Sequence, residues 1–206
     1  MGAGVPPAAV PPGRGEGGGP RLVLASRSPQ RRAILAQLGV PFEVRPAEVV
    51  EEEAGDPADV ARENAVRKAL AVDRGPGEVV LGVDTLVAGD AGEIWGKPPS
   101  EAAARETLRR LAGRTHRVVS GLALARAPGD VRVTVAVTEV TFRVFGEETL
   151  AWYVASGEWE ERAGGYAIQG RGAALVERIA GDYLNVVGLP VAALLNLWPE
   201  VLQLAR

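Results

Sequence analysis

The chain has 206 residues, 47% of them hydrophobic and 24% charged, with a net charge of −3, no cysteine and a single histidine, His116. That length fits one domain or one two-lobed unit with an ample core. The composition excludes a disulfide frame, a thiol nucleophile and a cysteine- or histidine-rich metal centre, and the negative charge argues against a protein whose main work is holding nucleic acid.

Residues 1–20, "MGAGVPPAAVPPGRGEGGGP", carry hardly a large apolar side chain. Such a segment cannot offset its ordering entropy, so a disordered extension is expected there, with the folded domain over residues 21–206. The prolines break any secretory h-region, and no run approaches the roughly 18 apolar residues of a membrane span. A cytoplasmic protein is the expectation.

Residues 22–25 form a short apolar run, expected as a strand buried on both faces. Ser28-Pro29 then reads as N-cap and first residue of a helix whose buried stripe is Ile34, Leu35 and Leu38 and which Gly39 ends. "PFEVRP" is a second strand. "DPADVARENAVRKALAV" is a second helix, with Asp56 as N-cap and Pro57 at its start. "EVVLGVDTLVA", residues 78–88, is the strongest strand signal, and "GDAG" turns it back into "EIWGKP". A third helix begins at Pro99 or Ser100 and ends at Gly113. Two long β-branched strands follow, joined through Ala127-Pro128-Gly129-Asp130, and then a fourth helix over "GEETLAWYVASG". Another hairpin, turning at Gly181-Asp182, is expected before a closing helix interrupted ahead of Pro199. This order gives an α/β fold with a mixed sheet and no internal repeat.

Four stretches bear on chemistry. In "LASRSPQRR" a buried strand runs through a short loop into a helix N-terminus, where free amides and the helix dipole favour an anion. Arg31 and Arg32 in that first turn oppose the dipole unless an anion sits beside them; the alternative is that they are solvated and pair with nearby glutamates. Asp84 lies in the middle of an otherwise apolar strand, and an unpaired buried carboxylate would cost several kcal/mol. It is a metal ligand, a general base toward water, or a strand-end aspartate bonding loop amides. On the second helix, Ala61, Ala65, Lys68 and Val72 share the inward face, whereas Glu63 and Arg67 pair outward; Lys68 either snorkels at the edge of the core or reaches a site. "GGYAIQGRG" surrounds Gln169 with glycines that permit close approach to a ligand or a sharp bend. Glu51 heads an acidic turn, and His116 is assigned a structural hydrogen bond. The chain holds 21 arginines and only two lysines, Lys68 and Lys97. Where almost every basic position is arginine, the two lysines mark sites that suit a compact ammonium.

Taken together these residues resemble the Maf family of nucleoside triphosphate pyrophosphatases. "LASRSPQRRAIL" is similar to the family's LASxSPRRxxLL opening, "GVDTLV" to its G-x-D-T motif and "GKP" to its lysine-proline loop. "TH" with the following valine is similar to T-H-x-V, "AGGYAIQGRGA" to A-G-x-Y-x-I-Q-G, and "NVVGLPV" to V-V-G-L-P. The six occur in the family's order between residues 22 and 200. The resemblance implies an elongated two-lobed mixed sheet flanked by helices, with a nucleotide-binding cleft between the lobes. It implies hydrolysis of a nucleoside triphosphate to the monophosphate and pyrophosphate with Mg²⁺ or Mn²⁺, and a homodimer. By position, Ser26, Arg31, Lys68 and Lys97 would hold the triphosphate and Asp84 would activate water. Glu51 would join Asp84 at the metal, Gln169 would assist the nucleotide, and Thr85 would lie beside the base. Gln30 departs from the first arginine of S-P-R-R; a helix turns about 100° per residue, which favours Arg31 over Arg32 as its replacement. Gln169 points to the dTTP/UTP branch, since an amide matches the imide edge of uracil and thymine. A 7-methyl-GTP pyrophosphatase and a nucleotide-binding regulator of septum formation are the alternatives.

Overall fold

The computed structural model describes residues 19–205; most of the expected extension, residues 1–18, lies outside them. Seven strands form one mixed sheet: β1 (Arg21–Leu24), β2 (Phe42–Val44), β3 (Glu78–Ala88), β4 (Ile94–Trp95), β5 (Thr115–Ala127), β6 (Asp130–Phe142) and β7 (Val176–Ala180). Their spatial order is β2-β1-β3-β5-β6-β7, with β4 on the free edge of β3. β1 is parallel to both β2 and β3, and every other pair is antiparallel. The helices are α1 (Pro29–Gln37), α2 (Pro57–Leu70), α3 (Glu101–Leu111), α4 (Glu147–Val154), α5 (Tyr183–Val187) and α6 (Val191–Leu197). Short 3-10 turns cover Ala163–Gly165, Arg171–Leu175 and Pro199–Ala205.

The helix starts follow local capping chemistry. The Ser28 hydroxyl accepts from the amide of Arg31, the Asp56 carboxylate from Ala58 and Asp59, and the Ser100 hydroxyl from Ala103. Pro29 and Pro57 supply the first residues of α1 and α2. The break before Pro199 occurs where expected, at Trp198. The hairpin at Gly181-Asp182 does not form. β7 pairs back onto the end of β6, and Asp182 caps α5 by accepting from the Leu184 amide. A side-chain cap directly before "YLNVV" turned that segment into helix; its β-branched pair Val186-Val187 had suggested strand.

Of four hydrophobic clusters along the long strands, two small ones lie under α2 and two larger ones build the lobes. One gathers β1, α1, the first half of β3, the far end of β5 and α6 around Leu24, Leu35, Leu81, Leu124 and Trp198. The other gathers α3, α4, the start of β5 and the end of β6 around Leu108, Leu150, Phe142 and Tyr153. The lobes are these two larger cores, sharing β3 and β5 as a common spine.

Two glycines seat α2 on that spine. A side chain at Gly82 of β3 would run into the backbone of Ala65 and Ala69, and one at Gly121 of β5 into that of Ala61 and Arg62. The helix backbone therefore lies directly against the sheet. This close seat brings the inner face of α2 level with the middle of β3.

Candidate active site

The cleft opens where β3 loses its neighbour. Pairing with β1 ends at Leu24–Leu81, and pairing with β4 begins only at Val87–Trp95. Between them the outer edge of β3 is free, and Asp84 and Thr85 sit in that gap on opposite faces. The resulting cleft encloses about 940 Å³, a volume suited to a nucleotide. Residues from both lobes line it, among them Ser26, Gln30, Arg31, Glu51, Lys68, Lys97, Arg162 and Gln169.

On the α2 side, Asp84 is 6% exposed and carries partners on both oxygens. The Lys68 ammonium donates to Oδ1 at 2.6 Å, and Asn64 Nδ2 donates to Oδ2 at 3.1 Å. Lys68 also pairs with Glu51 at 2.8 Å, so one ammonium is shared by two carboxylates. Burial offsets much of the attraction with desolvation, but removing one partner would leave a buried charge poorly compensated. Asp84 pairs with Gly121 in mid-strand, which removes the strand-end reading. Asn64 does more than hold Asp84. Its amide accepts from the Glu52 amide at 2.8 Å and donates to the Glu52 carbonyl at 2.9 Å, tying the acidic loop over the carboxylate.

On the other face, the Arg31 guanidinium is spread over three acceptors. Nε donates to the Gly188 carbonyl at 2.9 Å, Nη1 to Ser26 Oγ at 2.8 Å and Nη2 to Thr85 Oγ1 at 3.1 Å. Thr85 in turn shares a hydrogen bond of 2.8 Å with Ser120. Gly188 ends α5 with φ of 127°, a left-handed conformation that suits glycine and aims its carbonyl at Arg31. Burial lowers the Arg31 pKa, with Asp84 and Glu51 partly offsetting the desolvation. Hydroxyls and a carbonyl orient the group without neutralising it. Arg32, one residue on, is exposed. Gln30 lines the cleft and accepts from the Ser28 hydroxyl at 3.1 Å.

The remaining expected residues are placed as follows. Lys97 is exposed on the lip of the second lobe and pairs with Glu161 at 2.6 Å. Gln169 is an exposed residue of the cleft wall. Thr85 stands in the cleft, but its hydroxyl is taken up by Arg31 and Ser120. His116 is buried, with Nε2 2.9 Å from the Tyr166 hydroxyl, beneath the cleft wall that Tyr166 supplies.

Asn64, Ser120, the Gly188 carbonyl and Arg162 were not singled out from sequence. Asn64 was the findable one. It lies three residues after Ala61 and four before Lys68, on the same inward stripe of α2. Among the described residues no three acidic or histidine side chains gather into an all-protein metal cage. Glu51 and Asp84 both reach the Lys68 ammonium, and their carboxylates are hard oxygen donors of the kind Mg²⁺ or Mn²⁺ prefers.

A family model described as Maf-like protein matches residues 21–201. A dTTP/UTP pyrophosphatase of Symbiobacterium thermophilum is 48% identical over 174 residues, spanning 83% of this chain and 89% of that protein. A dTTP/UTP pyrophosphatase of Moorella thermoacetica is 49% identical over 175 residues, spanning 83% and 90%. Among solved structures, a HAM1 protein from Coxiella burnetii is similar with a TM-score of 0.46 and 19% identity, over 75% of this chain and 91% of that one.

Proposed function

The chain belongs to the Maf family, and we propose that it hydrolyses nucleoside triphosphates, dTTP and UTP foremost, to the monophosphate and pyrophosphate. The observation that carries this reading is a buried carboxylate, Asp84, at the floor of a nucleotide-sized cleft, with an oriented and unneutralised arginine on the opposite face of the same strand. A protein that only bound nucleotide would need the cations but not the aspartate.

The chain's residues divide the work. Arg31, held as a fork by Ser26, Thr85 and Gly188, presents fixed donors to phosphate oxygens. Lys97 exchanges Glu161 for phosphate, an exchange that costs little because the pair is exposed. Lys68 aims Asp84 from Oδ1, and Asn64 fixes its second oxygen. Asp84 accepts the proton of a water whose oxygen attacks the α-phosphorus. The α–β phosphoanhydride bond breaks, and pyrophosphate leaves with its charge matched by the cleft cations. Glu51 and Asp84 would hold a divalent cation. Such an ion supplies charge neutralisation and a more acidic bound water. Gln169, on the cleft wall, is the residue assigned to the imide edge of the pyrimidine.

The test is the fate of solvent oxygen. Hydrolysis of dTTP in ¹⁸O-water, followed by ³¹P NMR, should place the label in dTMP and none in pyrophosphate. Label in pyrophosphate would put the attack at the β-phosphorus and remove Asp84 from the assigned role. Release of inorganic phosphate in place of pyrophosphate would refute the reaction class.

A further inference from the structure

Of the cleft cations, Arg27, Lys68 and Lys97 each have a carboxylate partner, and Arg31 is braced by three neutral acceptors. Arg162 has neither. It lies on the lobe opposite Arg31, just before the Ala163–Gly165 turn, and it lines the cleft half-buried. Its Nε is enclosed without a hydrogen-bond partner, and among the described residues it joins no ion pair. Glu158 and Glu161 are near enough to favour its charge, but they do not outweigh the desolvation that lowers its pKa. An enclosed guanidinium Nε with no acceptor carries an unmet desolvation cost that an anionic ligand would relieve.

The backbone around it is built to hold it there. Glu161, the residue before, has φ of 56°, the one positive value at a non-glycine residue among the described residues. That conformation is disfavoured for a residue with a side chain and concentrates at functional turns. The turn sends the Glu161 carboxylate outward to Lys97 and leaves Arg162 facing the cleft. Two residues on, the Gly164 amide donates to the Gly96 carbonyl at 3.0 Å, fastening the Arg162 loop to the Lys97 loop. Lys97 and Arg162 thus share one lip.

We propose that Arg162 is an anion-binding residue for the pyrophosphate end of the triphosphate, gripping it with Lys97 from the lobe opposite Arg31. The proposal rests on the pyrophosphatase reading and extends it to a residue outside the matched motif roles. Cations on both lobes would make the triphosphate a bridge across the cleft. They would also stay with the leaving group after the α–β bond has broken, which makes pyrophosphate itself the natural probe.

The experiment is calorimetric titration of the full-length protein with inorganic pyrophosphate and, separately, with dUMP, both with Mg²⁺. Wild type is compared with Arg162→Lys and Arg162→Gln. Loss of a charge-assisted contact predicts that Arg162→Gln weakens pyrophosphate by about tenfold or more, with Arg162→Lys in between and dUMP unchanged. Equal weakening of pyrophosphate and dUMP would mark Arg162 as structural and overturn the proposal. So would unchanged pyrophosphate affinity in Arg162→Gln, or a wild-type protein that binds no pyrophosphate. If wild type released no pyrophosphate from any triphosphate yet bound it through Arg162, the catalytic reading would fall and the anion site would stand.

Discussion

Asp84 shows how few groups the proposed chemistry needs. Its two oxygens are held from one helix, by Lys68 and by Asn64, so substitution should separate charge from aim. Asp84→Asn keeps the shape and removes the base; kcat for dTTP should fall by about 10²–10⁴ with the fold retained, checked by steady-state kinetics beside circular dichroism. Asn64→Leu should remove the brace on Oδ2 and the clasp on Glu52 together. A kcat loss of about tenfold or more with little change in KM is expected, since one hydrogen bond to a charged group is at stake. A rise in KM alone would make Asn64 a substrate contact instead. Arg31→Lys tests geometry, because an ammonium cannot meet the Gly188 carbonyl and two hydroxyls as a planar fork does. KM should rise several-fold in that variant despite its unchanged charge, as measured in the same assay.

At the scale of elements, the site depends on how closely α2 lies on the sheet. Gly121→Ala would force the helix off β5, moving Asn64 and Lys68 away from Asp84. Overpacking of this kind costs about 1–3 kcal/mol, and chemical denaturation should register it along with a loss of activity larger than the loss of stability explains. Much of this layer was legible in the sequence, because helix starts are local events. Ser28-Pro29, Asp56-Pro57 and Ser100 each cap within three residues, and Asp84 was conspicuous as a lone charge in an apolar strand. The inward placement of Lys68 was legible from helical spacing, but its pairing with Asp84 was not. A cleft was implied only by the family resemblance, and its origin was not legible, since it comes from β1 stopping short of β4 along the edge of β3, a matter of register between distant segments. Nor were Arg31's acceptors, one of which is 157 residues away. The misread hairpin at Gly181-Asp182 has the same origin: β7 finds its partner in β6, far earlier in the chain, so no return strand was needed.

For the whole molecule, two cores joined by shared strands predict a fold that weakens in acid through a few buried groups. Burial holds His116 at a pKa of about 4 against an ordinary 6.5, and the charged ring would carry a proton on Nδ1, which has no partner. The unfolded chain therefore takes up that proton first. The stabilisation is complete above pH 6.5 and is lost as pH falls toward 4, by about 3 kcal/mol. Glu78 adds to this at lower pH. Its hydrogen bonds to Arg45, then the Gly75 amide and the Arg21 charge, hold it at about 2 against desolvation, so its contribution is lost as pH falls from 4.5. Urea titrations at pH 7 and 4.5 should show His116→Phe losing less stability over that interval than wild type. The central claim, however, concerns catalysis. The most direct test is pyrophosphate release by wild type and Asp84→Asn, with Mg²⁺ or Mn²⁺, from dTTP, UTP, CTP, GTP, ATP and 7-methyl-GTP. Release chiefly from dTTP and UTP, abolished in Asp84→Asn while nucleotide binding persists, is the predicted result. Turnover in Asp84→Asn equal to wild type, or no release from any of the six, would contradict it.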